Sequence, residues 1–245
     1  MNDKDVLCLD VGNTNLKWSE FRLQDLYSKQ SGEIAIVSEI KTENLDEEFA
    51  GLEVVPVWVS HVASEKIKQL LIDWFKKNWG VVPQFVISGA EYCGLINSYN
   101  APQDLGVDRW MAMLAGMKMS KNDVCIIDAG TAVTLDVIDR SGNHQGGVIM
   151  PGKLLMHQSL INNTSNIKMS DGDLCGLANN TSDAVSSGVI ACVLGGVERV
   201  LDDVRVRYPE IEVIITGGDA CLFRDNGWME VSDLVLKGVG LVAQK

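Results

Sequence analysis

Asp10 is the first residue whose setting suggests chemistry. It closes the apolar run from Val6 to Leu9 and opens Asp10-Val11-Gly12-Asn13-Thr14-Asn15-Leu16-Lys17. Gly12 lets the backbone turn tightly and come close to a phosphate. Asn13 and Thr14 add side-chain donors, and the turn itself offers N–H groups. A carboxylate at such a strand end can hold a hydrated Mg²⁺ that bridges phosphates. An ordinary hairpin turn would use the same composition, so this segment alone decides nothing. A second copy changes the balance. Asp128-Ala-Gly130-Thr131 stands 118 residues downstream, with Asp128 matching Asp10 and Gly130 matching Gly12. Two such turns in equivalent halves could grip a triphosphate from both sides. A third aspartate, Asp108, follows Pro102 and Gly106 and stands beside Arg109. The helix dipole alone favours an acidic residue at a helix start. A carboxylate beside an arginine could equally take a proton from a substrate hydroxyl.

The elements that must carry these residues follow from the same echo. Residues 6–21 (VLCLDVGNTNLKWSEF) and 124–139 (VCIIDAGTAVTLDVID) each read as a buried strand, a tight turn and a second strand. Third strands are expected at Glu33 to Ile40 and His144 to Met150. Further strands are expected at Val54 to Val62, Val81 to Ser88 and Glu212 to Thr216. Ile67, Leu70, Leu71, Trp74 and Phe75 recur at helical spacing after Ser64, a candidate N-cap. Leu105 to Met119, Ser182 to Tyr208 (with a break expected at Gly195-Gly196) and Val231 to Val242 complete the helices. Asn162 to Asn180 reads as a long polar loop. Strands followed by alternating helices and strands, twice over, predict an α/β fold of two similar domains, each a mixed sheet flanked by helices. The boundary is expected at 117/118, giving domains of 1–117 and 118–245, with the last helix free to pack back on the first. A ligand site is expected in the cleft between them.

Other features are quieter. Gly146-Gly147 through Pro151-Gly152, and Thr216-Gly217-Gly218, fit either plain turns or places where backbone approaches an adenine or ribose. His61, His144 and His157 share no metal-ligand spacing and read as structural or surface residues. The cysteines at 8, 93, 125, 175, 192 and 221 form no CxxC pair, and Cys8 and Cys125 read as small hydrophobes. The tryptophans and methionines read as core filling.

With 46% hydrophobic residues in 245, the chain can build a substantial core. Its formal net charge of −12 disfavours nucleic acid and anionic lipid as partners. No stretch reads as a membrane span or a signal-peptide core, so the expected compartment is the cytoplasm.

Six segments, in order, resemble the type III pantothenate kinases of the acetate-kinase, sugar-kinase, Hsp70 and actin superfamily. They are DVGNT at 10–14, GVDR at 106–109, DAGTAVTLD at 128–136, GGVIMPG at 146–152, TSDAVSSGV at 181–189 and TGGDA at 216–220. The resemblance implies an actin-like or RNase H-like fold for each domain and ATP-dependent phosphorylation of pantothenate, the first step of coenzyme A biosynthesis. It implies that Asp10, Val11, Gly12, Asn13, Thr14, Asn15, Leu16 and Lys17, together with Thr131, contact ATP, with Asp10 also serving Mg²⁺. It implies that Tyr99, Gly106, Val107, Asp108, Arg109 and Thr181 hold pantothenate, with Asp108 as proton acceptor. Asp128 would bind K⁺ or NH₄⁺. The family is typically a homodimer, which would let Thr181 serve the neighbour's site. Clustered carboxylates near a polyanion are tenable only with cations between them, and Arg109 has the fork geometry for a substrate carboxylate. Another small-molecule kinase or a polyphosphate-type phosphohydrolase on the same scaffold remains open at this point, as does a non-catalytic nucleotide-binding regulator.

Overall fold

The computed structural model describes residues 5–36, 40–164 and 176–244. The chain divides into one compact unit of Met1–Met119 with Asp233–Lys245 and a second of Ser120–Ser232. The division thus falls two residues later than expected, and the second unit ends before the last helix.

In the first unit, β1 (Asp5–Val11), β2 (Asn15–Arg22) and β3 (Tyr27–Ala35) form an antiparallel meander. After α1 (Thr42–Glu48), β4 (Val57–His61) returns parallel to β1. Helix α2 (Glu65–Trp79) then leads to the short parallel strand β5 (Gln84–Phe85). The sheet order is β3-β2-β1-β4-β5. The central strand is apolar at every position from Val6 to Leu9 because it is covered on both faces. One face packs Leu7, Leu9, Val11, Leu16 and Trp18 against Leu71, Trp74 and Phe75 of α2. Ser64 does cap α2 by position, and Gly80, in the left-handed region, ends it.

Two strand expectations need correction. The third strand lies at Tyr27–Ala35, not Glu33 to Ile40, and residues 37–39 lie outside the described residues. Its first half, Tyr27 to Gln30, is polar and exposed, as an edge strand permits, so no apolar alternation marked it. The run from Val81 to Ser88 pairs only at Gln84–Phe85, because Pro83 has no N–H for a ladder.

A small hairpin of β6 (Glu91–Tyr92) and β7 (Leu95–Ile96) precedes α3 (Val107–Met119). Helix α3 is buried continuously from Arg109 to Gly116, which is why its sequence lacks a polar face.

The second unit repeats the plan. Strands β8 (Val124–Ala129), β9 (Ala132–Ile138) and β10 (His144–Pro151) form the meander. Helices α4 (Lys153–Asn163) and α5 (Thr181–Arg207) follow, then β11 (Glu212–Thr216), parallel to β8, and β12 (Met229–Glu230). The order is β10-β9-β8-β11-β12. Helix α5 runs unbroken through Gly195-Gly196. A Cβ on Gly196 would stand 3.2 Å from Met150 Sδ, so that glycine serves packing and not a break.

Helix α5 is also long and apolar enough to cross a membrane by length and composition, contrary to the expectation above. Its buried residues Val193, Val197 and Leu201 belong to the second unit's core with Ile127, Leu135 and Ile215. The expected loop at Asn162 to Asn180 lies in part outside the described residues, at 165–175, and Cys175 with it. The final helix, α6 (Leu234–Ala243), packs on α3 and β1 within the first unit.

Candidate active site

Asp10, next to last in β1, lies directly opposite Lys17 on β2, and Gly12 N donates to Asn15 O at 2.9 Å to close the turn between them. Thr14 O accepts from Ile36 N at 2.6 Å, tying the turn to the chain leaving β3. Asn13 is exposed at its tip, while Val11 and Leu16 are buried in the core. The segment therefore divides by role: Val11 and Leu16 anchor it, and Asp10, Asn13, Thr14, Asn15 and Lys17 are the polar positions.

The acceptor segment is built around Asn97. Its Nδ2 donates to Gly89 O (3.0 Å) and Pro102 O (3.2 Å), and its Oδ1 accepts from Tyr99 N (3.0 Å). Ser88 Oγ donates to Leu105 O at 2.8 Å. These bonds fix the loop so that Tyr99 meets the first turn of α3. Arg109 Nη1 donates to Tyr99 Oη at 3.0 Å, and the guanidinium carbon lies 5.9 Å from the Tyr99 ring centroid. Arg109 is only 6% exposed, so its charge is held by partners and not by bulk water. Asp108, half-buried, accepts from Arg109 N at 2.8 Å through Oδ1. Gly106 passes close to that carboxylate: a Cβ there would stand 2.6 Å from Asp108 Oδ1. Tyr99, Gly106, Val107, Asp108 and Arg109 are thus brought together. Asn97 and Ser88 hold them there, and sequence reading assigned neither a role, since a lone Asn or Ser in a loop carries no distinguishing pattern.

In the second unit, Asp128 near the end of β8 pairs across to Thr134 on β9 and alongside Thr216 on β11. Gly130 N donates to Ala132 O at 3.0 Å, repeating the closure at Gly12. Two glycines that read either as plain turns or as places for ligand approach make room for this turn. A Cβ on Gly152 would stand 2.1 Å from Gly130 O, and one on Gly217 would stand 2.2 Å from Ala129 O and 2.5 Å from Asp128 Oδ1. Gly152 N donates to Thr131 O, and Asp219 N to Ala129 O. The turn carrying Asp128 and Thr131 is therefore clamped from both sides. Thr181 is exposed in the first turn of α5, where Asn180 caps the helix by accepting from Asp183 N at 3.0 Å.

The histidines are buried in part or whole. His144 Nε2 lies 2.9 Å from Asp136 Oδ1 with both side chains inaccessible. The His61 ring meets Phe85 edge-on, and burial, with Lys68 nearby, lowers its pKa. Cys8 and Cys125 are fully buried, and burial pushes both thiols well above their usual range. No group of three metal-ligating side chains occurs among the described residues.

Residues 6–203 match the family model for type III pantothenate kinase. A type III pantothenate kinase of Nitrosococcus oceani is 32% identical over 98% of this chain and 94% of its own length. Among solved structures, a Baf family transcriptional activator from Campylobacter jejuni superposes with a TM-score of 0.57 at 20% identity, covering 96% of each chain. The activator of 2-hydroxyisocaproyl-CoA dehydratase from Clostridium difficile, with bound ADPNP, does so at 0.51 and 12% identity, over 98% of this chain and 94% of that one. These structural likenesses bear on fold alone, and they agree with the actin-like order seen in both sheets. The chain belongs to the type III pantothenate kinase family, a family of kinase enzymes.

Proposed function

We propose that this chain transfers the γ-phosphoryl group of ATP to the primary hydroxyl of pantothenate. The observation that carries the reading is the buried Arg109 guanidinium, oriented by Tyr99 Oη at 3.0 Å, next to the Asp108 carboxylate at the start of α3. Arg109 and Tyr99 suit a small ligand carrying a carboxylate and polar groups. Asp108 accepts the proton as the hydroxyl oxygen attacks the γ-phosphorus and ADP leaves. In phosphoryl transfer the protein chiefly positions groups and stabilises charge, which is the work such a preorganised loop can do.

In the first unit, the Asp10–Lys17 turn contacts ATP through its N–H groups and polar side chains. In the second, Thr131 contacts ATP and Asp128 holds K⁺ or NH₄⁺, on a turn kept rigid by Gly152 and Gly217. Asp10 would hold Mg²⁺ through its water shell, and that ion would neutralise charge on the phosphates. Thr181, exposed on α5, would contact pantothenate. We also place the enzyme in the cytoplasm as a homodimer, in line with its acidic charge and with the family it resembles. Coupled ADP release with ATP, Mg²⁺ and K⁺ tests the reading. Release that depends on pantothenate supports it. Release that instead depends on a sugar or another acceptor, or is absent from folded protein that binds ATP, would contradict it.

A further inference from the structure

Ser60 belongs to no motif read from the sequence, yet the fold gives it a particular place. On the β1–β4 ladder it is the parallel partner of Asp10. Lys17 is Asp10's partner on the other side. Strands are about 4.8 Å apart, and laterally paired residues share a face, so Lys17, Asp10 and Ser60 form one row across the end of the sheet. Ser60 is 0% exposed, and its Oγ has no hydrogen-bond partner among the described residues. Buried hydroxyls are nearly always satisfied, so one left open beside the first turn's aspartate asks for an explanation.

The second unit makes the position harder to dismiss as filler. There Asp128 is flanked by Thr134 and, on the equivalent parallel strand, by Thr216, which is 5% exposed. Both units thus set a buried hydroxyl beside the turn's aspartate, on the strand that returns parallel to the first. Sequence spacing hides this correspondence, because the aspartates lie 118 residues apart but Ser60 and Thr216 lie 156 apart.

We infer that Ser60 is a positioning residue for the metal–nucleotide: when MgATP binds, its hydroxyl donates to one oxygen of the Asp10 carboxylate and leaves the other for a metal-bound water. The inference rests on the nucleotide reading proposed above. A hydroxyl kept for the fold should already have its partner, whereas one kept for the ligand is a cost to the nucleotide-free protein. Function and stability then pull in opposite directions on substitution.

The test is S60A and S60T in the full chain, followed by thermal melting without nucleotide and by titration with MgATP, and with ATP in EDTA, read by calorimetry. No pantothenate is needed, so a wrong acceptor assignment leaves the outcome unaffected. We expect S60A to melt at or above wild type and to bind MgATP about tenfold more weakly, the lower end of what a bond to a charged group contributes. Its affinity for metal-free ATP should match wild type. S60T, which keeps the hydroxyl as Thr216 does, should bind MgATP within about threefold of wild type. Equal MgATP affinity in S60A and wild type overturns the inference alone. So does a weakened S60A that also melts lower without nucleotide, since the hydroxyl then supports the fold. A wild-type chain that binds no MgATP overturns the nucleotide reading and this inference together.

Discussion

Gly217→Ala and Gly218→Ala change neighbouring residues by the same methyl group, yet the structure separates their effects. Gly217 has φ +97°, a region that L side chains avoid, and its Cβ would stand 2.2 Å from Ala129 O and 2.5 Å from Asp128 Oδ1. Relief requires the loop and the β8 turn to part by about 1 Å, given that real Cβ atoms keep about 3 Å or more from such neighbours. The backbone strain is worth about 1–2 kcal/mol. The bond from Asp219 N to Ala129 O, 2.9 Å long, contributes about 1 kcal/mol and would be stretched or lost. The loss is then about 2–3 kcal/mol, which in a chain of this size lowers Tm by about 4–12 °C. At Gly218 a Cβ meets nothing within 4 Å, so Gly218→Ala should stay within about 0.5 kcal/mol of wild type. Thermal denaturation followed by circular dichroism reads both. Because the Gly217 methyl also points at the Asp128 carboxylate, Gly217→Ala should weaken the dependence of activity on K⁺ while Gly218→Ala leaves it intact. Equal melting temperatures for the two variants, or a less stable Gly218→Ala, would refute this account of the clamped turn.

Tyr99→Phe removes the acceptor of the Arg109 Nη1 bond and should raise KM for pantothenate about tenfold, the effect of one bond to a charged group, while KM for ATP stays near wild type. Steady-state kinetics with each substrate varied separates the two, and equal rises would contradict the assignment of Tyr99 to the acceptor. Replacing K⁺ by Na⁺ should lower kcat severely, whereas full activity in Na⁺ alone would remove the monovalent ion from Asp128. Hydrogen bonds from Arg140 hold the Asp123 carboxyl below its ordinary pKa. A depressed folded value means stability that is present above the unfolded pKa and lost as pH falls through the folded one. The Tm advantage of wild type over Arg140→Gln should therefore be present near neutral pH and shrink below about pH 4, and a gap that widens on acidification would contradict that sign.

What was legible in the sequence follows a physical divide. The central strands β1 and β8 are covered on both faces, so their runs at Val6 to Leu9 and Val124 to Ile127 stand out, as do the Asp-x-Gly turns after them. Glu212–Thr216 and α2 were legible for the same reason, since burial writes itself into apolar runs and helical spacing. The edge strand Tyr27–Ala35 was not, because it owes its pairing to β2 and not to its own side chains, whereas the edge strand β10 was legible at His144 to Met150. The two-residue strands at Gln84, Glu91 and Leu95 are too short to leave a period. In the candidate site, Asp10, Asp108, Arg109 and Asp128 stand out through their motifs, whereas residues placed by topology leave no local pattern. Asn97 matters because it joins three loop segments, and Ser60 because a parallel crossover returns it beside Asp10. Gly152 and Gly217 read in sequence as plain turns or as sites of close approach, and in the fold each lies close to the protein's own β8 turn.

The central claim is that Asp108 takes a proton from pantothenate's hydroxyl as phosphoryl transfer proceeds. The most direct measurement is single-turnover product formation, followed by ³¹P NMR or mass spectrometry, in wild type and Asp108→Asn matched for ATP affinity by calorimetry. The account predicts phosphopantothenate from wild type and a loss of at least about a hundredfold in Asp108→Asn, within the usual contribution of a positioned acid or base, with ATP binding unchanged. Near-normal product formation by Asp108→Asn would contradict it.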